Sequence, residues 1–322
     1  MSDPEFKKGK EFFKVTRSLC FTAWLVLAFL LPAVAQVDKP ETDTAALMKR
    51  AEKLKSAAIA EMTAAREIED EARRTVALES ARSLLGDAKT IYGEAVDGIG
   101  EKFKSYGPFV DRNAEPKRFA EKAKAEASYL KAKLEIAGCT YQQAQTYDQS
   151  DETRVDLLKK AATEYEEIHQ KYRSLLAGLF ARVLQGRCFQ ELGDVRRALG
   201  IYNEILGHPS KSAQLQALQD QALSLRFVCL NSPSRRDHAL VVEEGREWSE
   251  LTPAQRKDSQ TGQGIRWEFA RGLELLAQQD STSDEERAEL LAEAIEVLTE
   301  LGKAKGVYQK PAAKKLEELS AK

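Results

Sequence analysis

The sequence predicts an all-α fold, and three of its features support this. Charged residues make up 31% of the chain and aromatic residues only 7%, a composition typical of helices rich in Ala, Leu, Glu and Lys. Apolar residues recur at helical spacing, and no run alternates with the period of two that marks a strand. The 18 Gly and 9 Pro fall mainly between the periodic segments. The net charge of -2 argues against electrostatic capture of nucleic acid.

The N-terminus has the pattern of a secretory signal peptide. A lead rich in Lys and Arg precedes the apolar run from Leu19 to Leu31, and Ala33 and Ala35 then form an A-x-A cleavage site. The run is shorter than the ~20 residues that a membrane span needs. We therefore expect residues 1–35 to be a signal peptide that is cleaved after Ala35. The alternative is an uncleaved anchor that holds the chain in the inner membrane by residues 19–31. Both place the protein outside the cytosol, in the periplasm or cell envelope.

The next segments are predicted to be a lead, an arm and a linker. Residues 36–44 have the composition of a flexible lead. Residues 45–104 are strongly charged with a thin, Ala-rich apolar stripe, which predicts a helical hairpin or a coiled-coil-like arm. Residues 105–117 contain Gly107, Pro108 and Pro116 and are predicted to be a linker.

The most informative stretch runs from Gly178 to Pro209 and predicts two short helices joined by a turn. Each helix has one apolar face at helical spacing. Gly193 stands where the first helix should stop, because Gly adopts the left-handed conformation at little cost. Pro209 closes the unit, since it has no N–H with which to continue a helix.

Small and large residues alternate in this stretch and recur elsewhere. Ala198 is small, and Tyr202 is large four residues later. Small and large residues three apart occur at 138/141, 186/189, 222/225 and 272/275, and Ala followed by a large residue four later occurs at 88/92, 161/165, 198/202 and 294/298. Helix starts are predicted at Ser210 or Ser212, at Ser234, at Thr252-Pro253-Gln255 and at Ser283 with Glu286.

The pattern resembles the tetratricopeptide repeat (TPR), a helical hairpin of about 34 residues. The matching residues are Gly186, Phe189, Gly193-Asp194, Ala198 and Tyr202, while Arg182 stands where the family has Trp and the closing Pro comes one residue early. The resemblance implies antiparallel hairpins stacked as a right-handed solenoid over residues 118–309. Residues 310–322 would form a terminal or capping helix.

No motif for catalysis or metal binding is present in the sequence. His169, His208 and His238 have no Cys or carboxylate at ligand spacing, and a zinc site needs about four convergent ligands. We therefore expect no enzyme activity, no cofactor and no metal. Cys139, Cys188 and Cys229 fall on apolar helix faces, where a free Cys behaves as a small hydrophobe. Cys139 and Cys188 are the pair to test first for a disulfide.

In TPR-like arrays the first helix of each hairpin lines a concave groove for a peptide or a partner helix. The resemblance carries this role to Gln142, Gln143, Val183, Arg187, Gln190, Glu191, Arg226 and Phe227. It implies a protein-interaction scaffold of the bacterial cell envelope, with contact to the membrane only through the N-terminal segment if that is retained. The alternative is a membrane-tethered structural spacer, or a self-associating coiled-coil protein built on residues 45–104.

Overall fold

The computed structural model describes residues 42–209 and 212–320, and this part of the chain confirms the all-α prediction. It is 80% helix and contains no strand. The predicted signal peptide and most of the predicted lead lie outside the described residues, although the first helix already begins at Thr42. The helices are α1 Thr42–Ala65, α2 Glu71–Ser105, α3 Pro116–Ala144, α4 Glu152–Tyr172, α5 Leu176–Glu191, α6 Val195–Leu206, α7 Ala213–Leu230, α8 His238–Leu251, α9 Ala254–Lys257, α10 Gln260–Ala277, α11 Asp284–Lys303 and α12 Gln309–Ser320.

The described part of the chain divides into two compact units, one that ends at Arg197 and one that begins at Ala198, with the division inside α6. In the N-terminal unit each helix from α1 to α4 packs on the next one along the chain. In addition, α3 contacts both α1 and α5. Helices α1 and α2 cover the predicted arm of residues 45–104, and they pack against each other as a hairpin.

The C-terminal unit is arranged around α10. This helix contacts α7, α8, α9 and α11, and α11 in turn contacts α12. One core cluster joins Leu223 and Phe227 of α7 to Trp248 of α8 and Ile265 of α10. Another packs Trp267 of α10 with residues of α11 and α12. The predicted terminal helix over 310–322 corresponds to α12.

Several predicted helix ends are confirmed by the backbone geometry. Gly193 has φ +79, and the amide of Asp194 donates to the carbonyl of Phe189 (2.9 Å), which is the Schellman arrangement. The hydroxyl of Ser212 accepts from the amide of Leu215 and caps α7. The hydroxyl of Ser283 accepts from the amide of Glu286 and caps α11.

Two predicted helix starts are wrong. Ser234 lies in a turn, and α8 is preceded by Asp237, whose side chain makes no capping bond. Thr252 ends α8, and Pro253 begins only the four-residue helix α9. The long helix α10 is capped by Ser259, whose hydroxyl accepts from the amide of Gly262 at 3.0 Å. Local capping signals mark where a helix starts, but they do not reveal how far it continues.

The small and large positions of the recurring pattern form much of the core. Most of their side chains are buried, because a small residue lets two helix axes approach and a large one fills the adjacent gap. Phe189 and Leu275 are the partly exposed exceptions. Ala161, Ala198 and Ala294 are each 0% exposed. The large partners of the Ala pattern are equally inaccessible, and they are Tyr92, Tyr165, Tyr202 and Leu298.

Candidate functional site

The predicted groove residues of the N-terminal unit surround a polar cluster centred on Glu191, the last residue of α5. Its carboxylate accepts from the hydroxyl of Tyr141, from Gln145 Nε2 (2.7 Å) and from the guanidinium of Arg154. Arg187 Nε lies 3.7 Å from the same carboxylate, and its guanidinium stacks 4.9 Å from the centre of the Tyr141 ring. We call these five residues the Glu191 cluster. It ties α3, α4 and α5 together.

Arg154 anchors the cluster from α4. It is 2% exposed, and its Nη1 also donates to the carbonyl of Ala144, at the end of α3, at 2.9 Å. A carbonyl at a helix C-terminus has no partner within its own helix, so this bond satisfies one of the groups left open there. The charge of Arg154 is thus balanced inside the protein by Glu191 and by the end of α3.

The other predicted groove positions of this unit differ in accessibility. Val183 is 0% exposed and Gln142 is 2% exposed, so neither presents a free face to a partner. The Oε1 atom of Gln142 is buried without a hydrogen-bond partner. Gln143 and Gln190 are both partly exposed. Gln143 faces away from the Glu191 cluster, because its Nε2 donates to the carbonyl of Arg82 in α2 at 3.5 Å. Gln190, next to Glu191 on α5, is the predicted glutamine that stays accessible beside the cluster.

The two predicted groove residues of the C-terminal unit, Arg226 and Phe227, lie on α7 and also contact neighbouring helices. Phe227 is 0% exposed and belongs to the core cluster of α7, α8 and α10. Arg226 is partly exposed, and its guanidinium forms an ion pair with Glu244 of α8. Its Nε atom is buried and has no hydrogen-bond partner. Arg226 is therefore the accessible predicted residue of this unit.

A second buried polar group joins α7, α8 and α10. Asn231 donates from Nδ2 to the carbonyl (2.9 Å) and the carboxylate (3.1 Å) of Glu268, and its Oδ1 accepts from His238 Nδ1 at 3.2 Å. Arg271 lies 3.3 Å from the same carboxylate. Burial lowers the pKa of His238, and the nearby Arg271 and Arg236 lower it further. The histidine is therefore held neutral, with its Nδ1 proton committed to Asn231.

Other buried charges are also paired across helix contacts. Asp220 of α7 accepts from Trp248 Nε1 at 3.0 Å and from both Nε and Nη2 of Arg256. Lys55 of α1 and Glu135 of α3 form a buried ion pair at 2.5 Å. In residues 42–209 and 212–320, no group of three or more His, Cys, Asp and Glu is placed to hold a metal ion.

An exposed apolar surface lies at the end of the α2–α3 hairpin, in the predicted linker. Phe109 is 80% exposed and Phe119 is 38% exposed. With Phe103 and Val110 they line an open concavity of about 640 Å³, bordered by Lys104 and Lys122. We call this the aromatic end surface. Phe103 also stacks on Tyr129, with ring centroids 6.2 Å apart.

The chain matches no family model, no curated protein and no solved structure. The resemblance to TPR proteins therefore stays a prediction. Among the described helices, none combines the length and the apolar character needed to cross a bilayer. The apolar run of residues 19–31 lies outside the described residues.

Sequence reasoning missed the aromatic end surface. Phe109 and Val110 stand next to Gly107-Pro108 in what the sequence marks only as a break between helices. A signal was available, because loops are normally polar and two adjacent large apolar residues there need an explanation. Whether these two side chains are buried or exposed depends on the path of the loop after α2. The sequence does not reveal that path.

Proposed function

We propose that the protein is a non-enzymatic, TPR-like scaffold of the bacterial cell envelope that binds a peptide or a partner helix. The observation that carries this proposal is the contact of α3 with both α1 and α5, in addition to its contacts with α2 and α4. In a repeat array the first helices of successive hairpins lie side by side, so these contacts support the proposal. In the C-terminal unit α7 and α10, the first helices of their hairpins, contact each other in the same way.

The pairing of the buried charges supports a scaffold. Glu191, Asp220 and Glu268 each receive donors from neighbouring helices, and these bonds fix one helix against the next. A buried carboxylate with several hydrogen bonds specifies packing, because leaving any partner unpaired carries a desolvation penalty. The polar residues are thus used to align the helices on which a binding face is displayed.

The binding face that we propose in the N-terminal unit is the side of α5 that displays Gln190, next to the Glu191 cluster. Amide side chains donate to and accept from peptide backbone groups, so they suit an extended peptide. Arg187 supports this face through Tyr141 and Glu191 and is itself only 7% exposed.

Site-specific photocrosslinking in the native envelope tests this proposal. A photoreactive amino acid is placed at Gln190, and at Glu167, an exposed residue of α4, as the matched control. We expect one discrete crosslinked protein at Gln190 and none at Glu167. The same products at both positions, or no product at Gln190, would contradict the proposed binding face.

A membrane-tethered spacer is a second candidate, and the length of α2 favours it. At 35 residues this helix extends for about 50 Å. Light scattering on the full chain, and on a variant in which residues 45–104 are deleted, separates the two functions. Self-association that disappears with the deletion would support the spacer, and a monomer in both cases would count against a coiled-coil arm.

A further inference from the structure

The aromatic end surface has a fixed shape. Lys122 Nζ, from the first turns of α3, donates to the carbonyls of Gly107 (2.7 Å) and Pro108 (2.8 Å) and so holds the loop in place. Gly107 has φ +73, the left-handed conformation that lets the chain reverse directly after α2. These constraints hold Phe109 outward at the end of the hairpin. An exposed aromatic side chain that the surrounding loop holds in a fixed position is suited to contact a partner surface.

The surroundings of this surface are positively charged in a chain that is slightly acidic overall. Residues 101–126 contain seven Lys and Arg against five Asp and Glu, a local net charge of +2, whereas the whole chain has a net charge of -2. Glu126 is among the residues that line the concavity, and the exposed Lys104 pairs with the exposed Glu101 at 2.8 Å. Arg112 lies over the ring of Phe119, with Cζ 5.9 Å from the ring centre. Exposed aromatic residues surrounded by cations fit the boundary between the headgroups and acyl chains of an anionic bilayer.

The position of the surface relative to the N-terminal segment points to the same partner. A Cβ added to Gly98 of α2 would lie 2.9 Å from Thr44 Cγ2, so the first turn of α1 packs against α2 at this point. From Gly98, α2 continues for only about 10 Å before it ends at Ser105. The start of α1 and the aromatic end surface are therefore at the same end of the hairpin.

The apolar run of residues 19–31 precedes the start of α1 by a short stretch of chain. The chain between Leu31 and Thr42 spans up to about 35–40 Å when extended. An apolar segment held in a membrane would therefore keep the aromatic end surface within reach of the bilayer.

We infer that the aromatic end surface is a membrane-contacting site, at which Phe109 inserts into the interface of an anionic lipid bilayer. Arg112 and Lys104 contact the lipid phosphates. This contact is additional to any anchoring by residues 19–31, and it does not depend on the peptide-binding face proposed above. It orients the hairpin of α1 and α2 away from the membrane.

The test measures local insertion instead of overall membrane attachment. The full chain carries Cys20→Ser in every sample, and an environment-sensitive fluorophore is attached to Phe109→Cys. The matched control is Val76→Cys, because Val76 is also an exposed apolar residue (64%) but lies in the second turn of α2, at the far end of the same helix. Cys139, Cys188 and Cys229 are buried, so the label goes to the introduced thiol under native conditions.

Each protein is reconstituted into vesicles of phosphatidylethanolamine and phosphatidylglycerol. We expect the label at position 109 to shift to the blue and to lose most of its emission when spin-labelled lipid is included, while the label at position 76 does neither. The charge reversal Arg112→Glu with Lys104→Glu should remove most of that quenching, and phosphatidylcholine alone should give less of it.

Equal quenching at positions 76 and 109, or none at position 109, overturns the inference. Quenching that is unaffected by the charge reversal and by the lipid overturns the role of the cations. A blue shift at position 109 that needs an added envelope protein and does not occur with lipid would assign the surface to a protein partner instead.

Discussion

Gly245 of α8 lies against the ring of Phe269 of α10. A Cβ at Gly245 would be 2.7 Å from Phe269 Cγ and closer still to Cδ2. Phe269 is 2% exposed and is surrounded by the core cluster of α8, α10 and α11, so its ring has little room to move. The absence of a side chain at Gly245 therefore sets how closely these two helices approach.

Adding one methyl group at this contact should destabilise the C-terminal unit. Gly245→Ala is expected to lower the free energy of unfolding, because overpacking costs about 1–3 kcal/mol. The gain in helix propensity, up to about 1 kcal/mol, offsets only part of that cost. Urea denaturation followed by circular dichroism measures the change.

The control is Gly200→Ala on α6. Gly200 is exposed, and a Cβ there would meet no atom within 4 Å. This change should raise the free energy of unfolding by about 0.5–1 kcal/mol through helix propensity alone. The same sign for both substitutions would show that the approach of α8 to α10 is not set at Gly245.

The buried pair of Lys55 and Glu135 should show strong coupling. Replacing one partner removes the opposite charge from a buried ion pair, so Lys55→Met and Glu135→Leu should each lower the free energy of unfolding by about 3–5 kcal/mol. The double variant should be less damaged than either single one, because neither buried charge remains. Urea denaturation of the four proteins completes a double-mutant cycle.

An exposed pair in the same unit provides the comparison. Lys159 and Asp156 are 3.8 Å apart with side chains 64% and 79% exposed, so Lys159→Met should change the free energy of unfolding little. Strictly additive effects at Lys55 and Glu135 would show that their charges are not coupled in solution.

Short-range patterns predicted the helices and many buried positions, because both depend on spacing along one helix. Ala161, Ala198 and Ala294 were predicted as close-packing positions and are fully buried. The start of α10 was misplaced because Thr252-Pro253 gave a stronger local capping signal than Ser259. The four-residue helix α9 uses the start at Pro253 and then ends.

The candidate site was harder to predict because it depends on partners that are distant in sequence. Glu191 and Arg154 are 37 residues apart, and Lys55 and Glu135 are 80 residues apart. The repeat resemblance indicated which helix positions face a groove, but not which of them pair with another helix. Val183 and Phe227 were assigned to the groove, and both are fully buried by neighbouring helices.

Glu191 should be required for the stability of the N-terminal unit. Glu191→Ala removes the carboxylate opposite Arg154, whose side chain is 2% exposed, and this should lower the free energy of unfolding by about 3–5 kcal/mol. Thermal and urea unfolding measure the loss. Glu152→Ala, at an exposed position in the first turn of α4, serves as the control and should have a small effect. Equal effects of the two substitutions would contradict the structural role of the Glu191 cluster.

His238 should make the C-terminal unit sensitive to mild acid. Its pKa is lowered by burial and by Arg271 and Arg236, which outweigh the opposing effect of Asp237. Below about pH 6.5 the unfolded chain binds a proton that the folded one resists, so the free energy of unfolding should fall as the pH falls. The loss is at most about 1.4 kcal/mol per pH unit. Urea titrations between about pH 7 and pH 5 measure the free energy of unfolding at each pH. Its dependence on pH should be weaker in His238→Gln than in the natural sequence. An unchanged slope in that variant would disprove the assignment.

The buried cysteines should destabilise the fold at alkaline pH. Burial raises the pKa of Cys139 and of Cys229 to about 12, and raises that of Cys188 as well. Above about pH 9 the unfolded chain loses thiol protons that the folded chain keeps, so the free energy of unfolding should decrease as the pH rises. Each thiol contributes up to about 1.4 kcal/mol per pH unit until its folded pKa is reached. The free energy of unfolding, measured by urea titrations between about pH 8 and pH 10, should therefore fall more steeply with pH for the natural sequence than for Cys229→Ala.

The substitution also leaves a cavity, which lowers the free energy of unfolding by an amount that does not change with pH. The slope of the free energy of unfolding against pH therefore reports the titration of the thiol and not the cavity. If the free energy of unfolding fell equally steeply with pH in both proteins, the pKa of Cys229 would be the same in the folded and unfolded chains. Cys229 would then not be buried in α7.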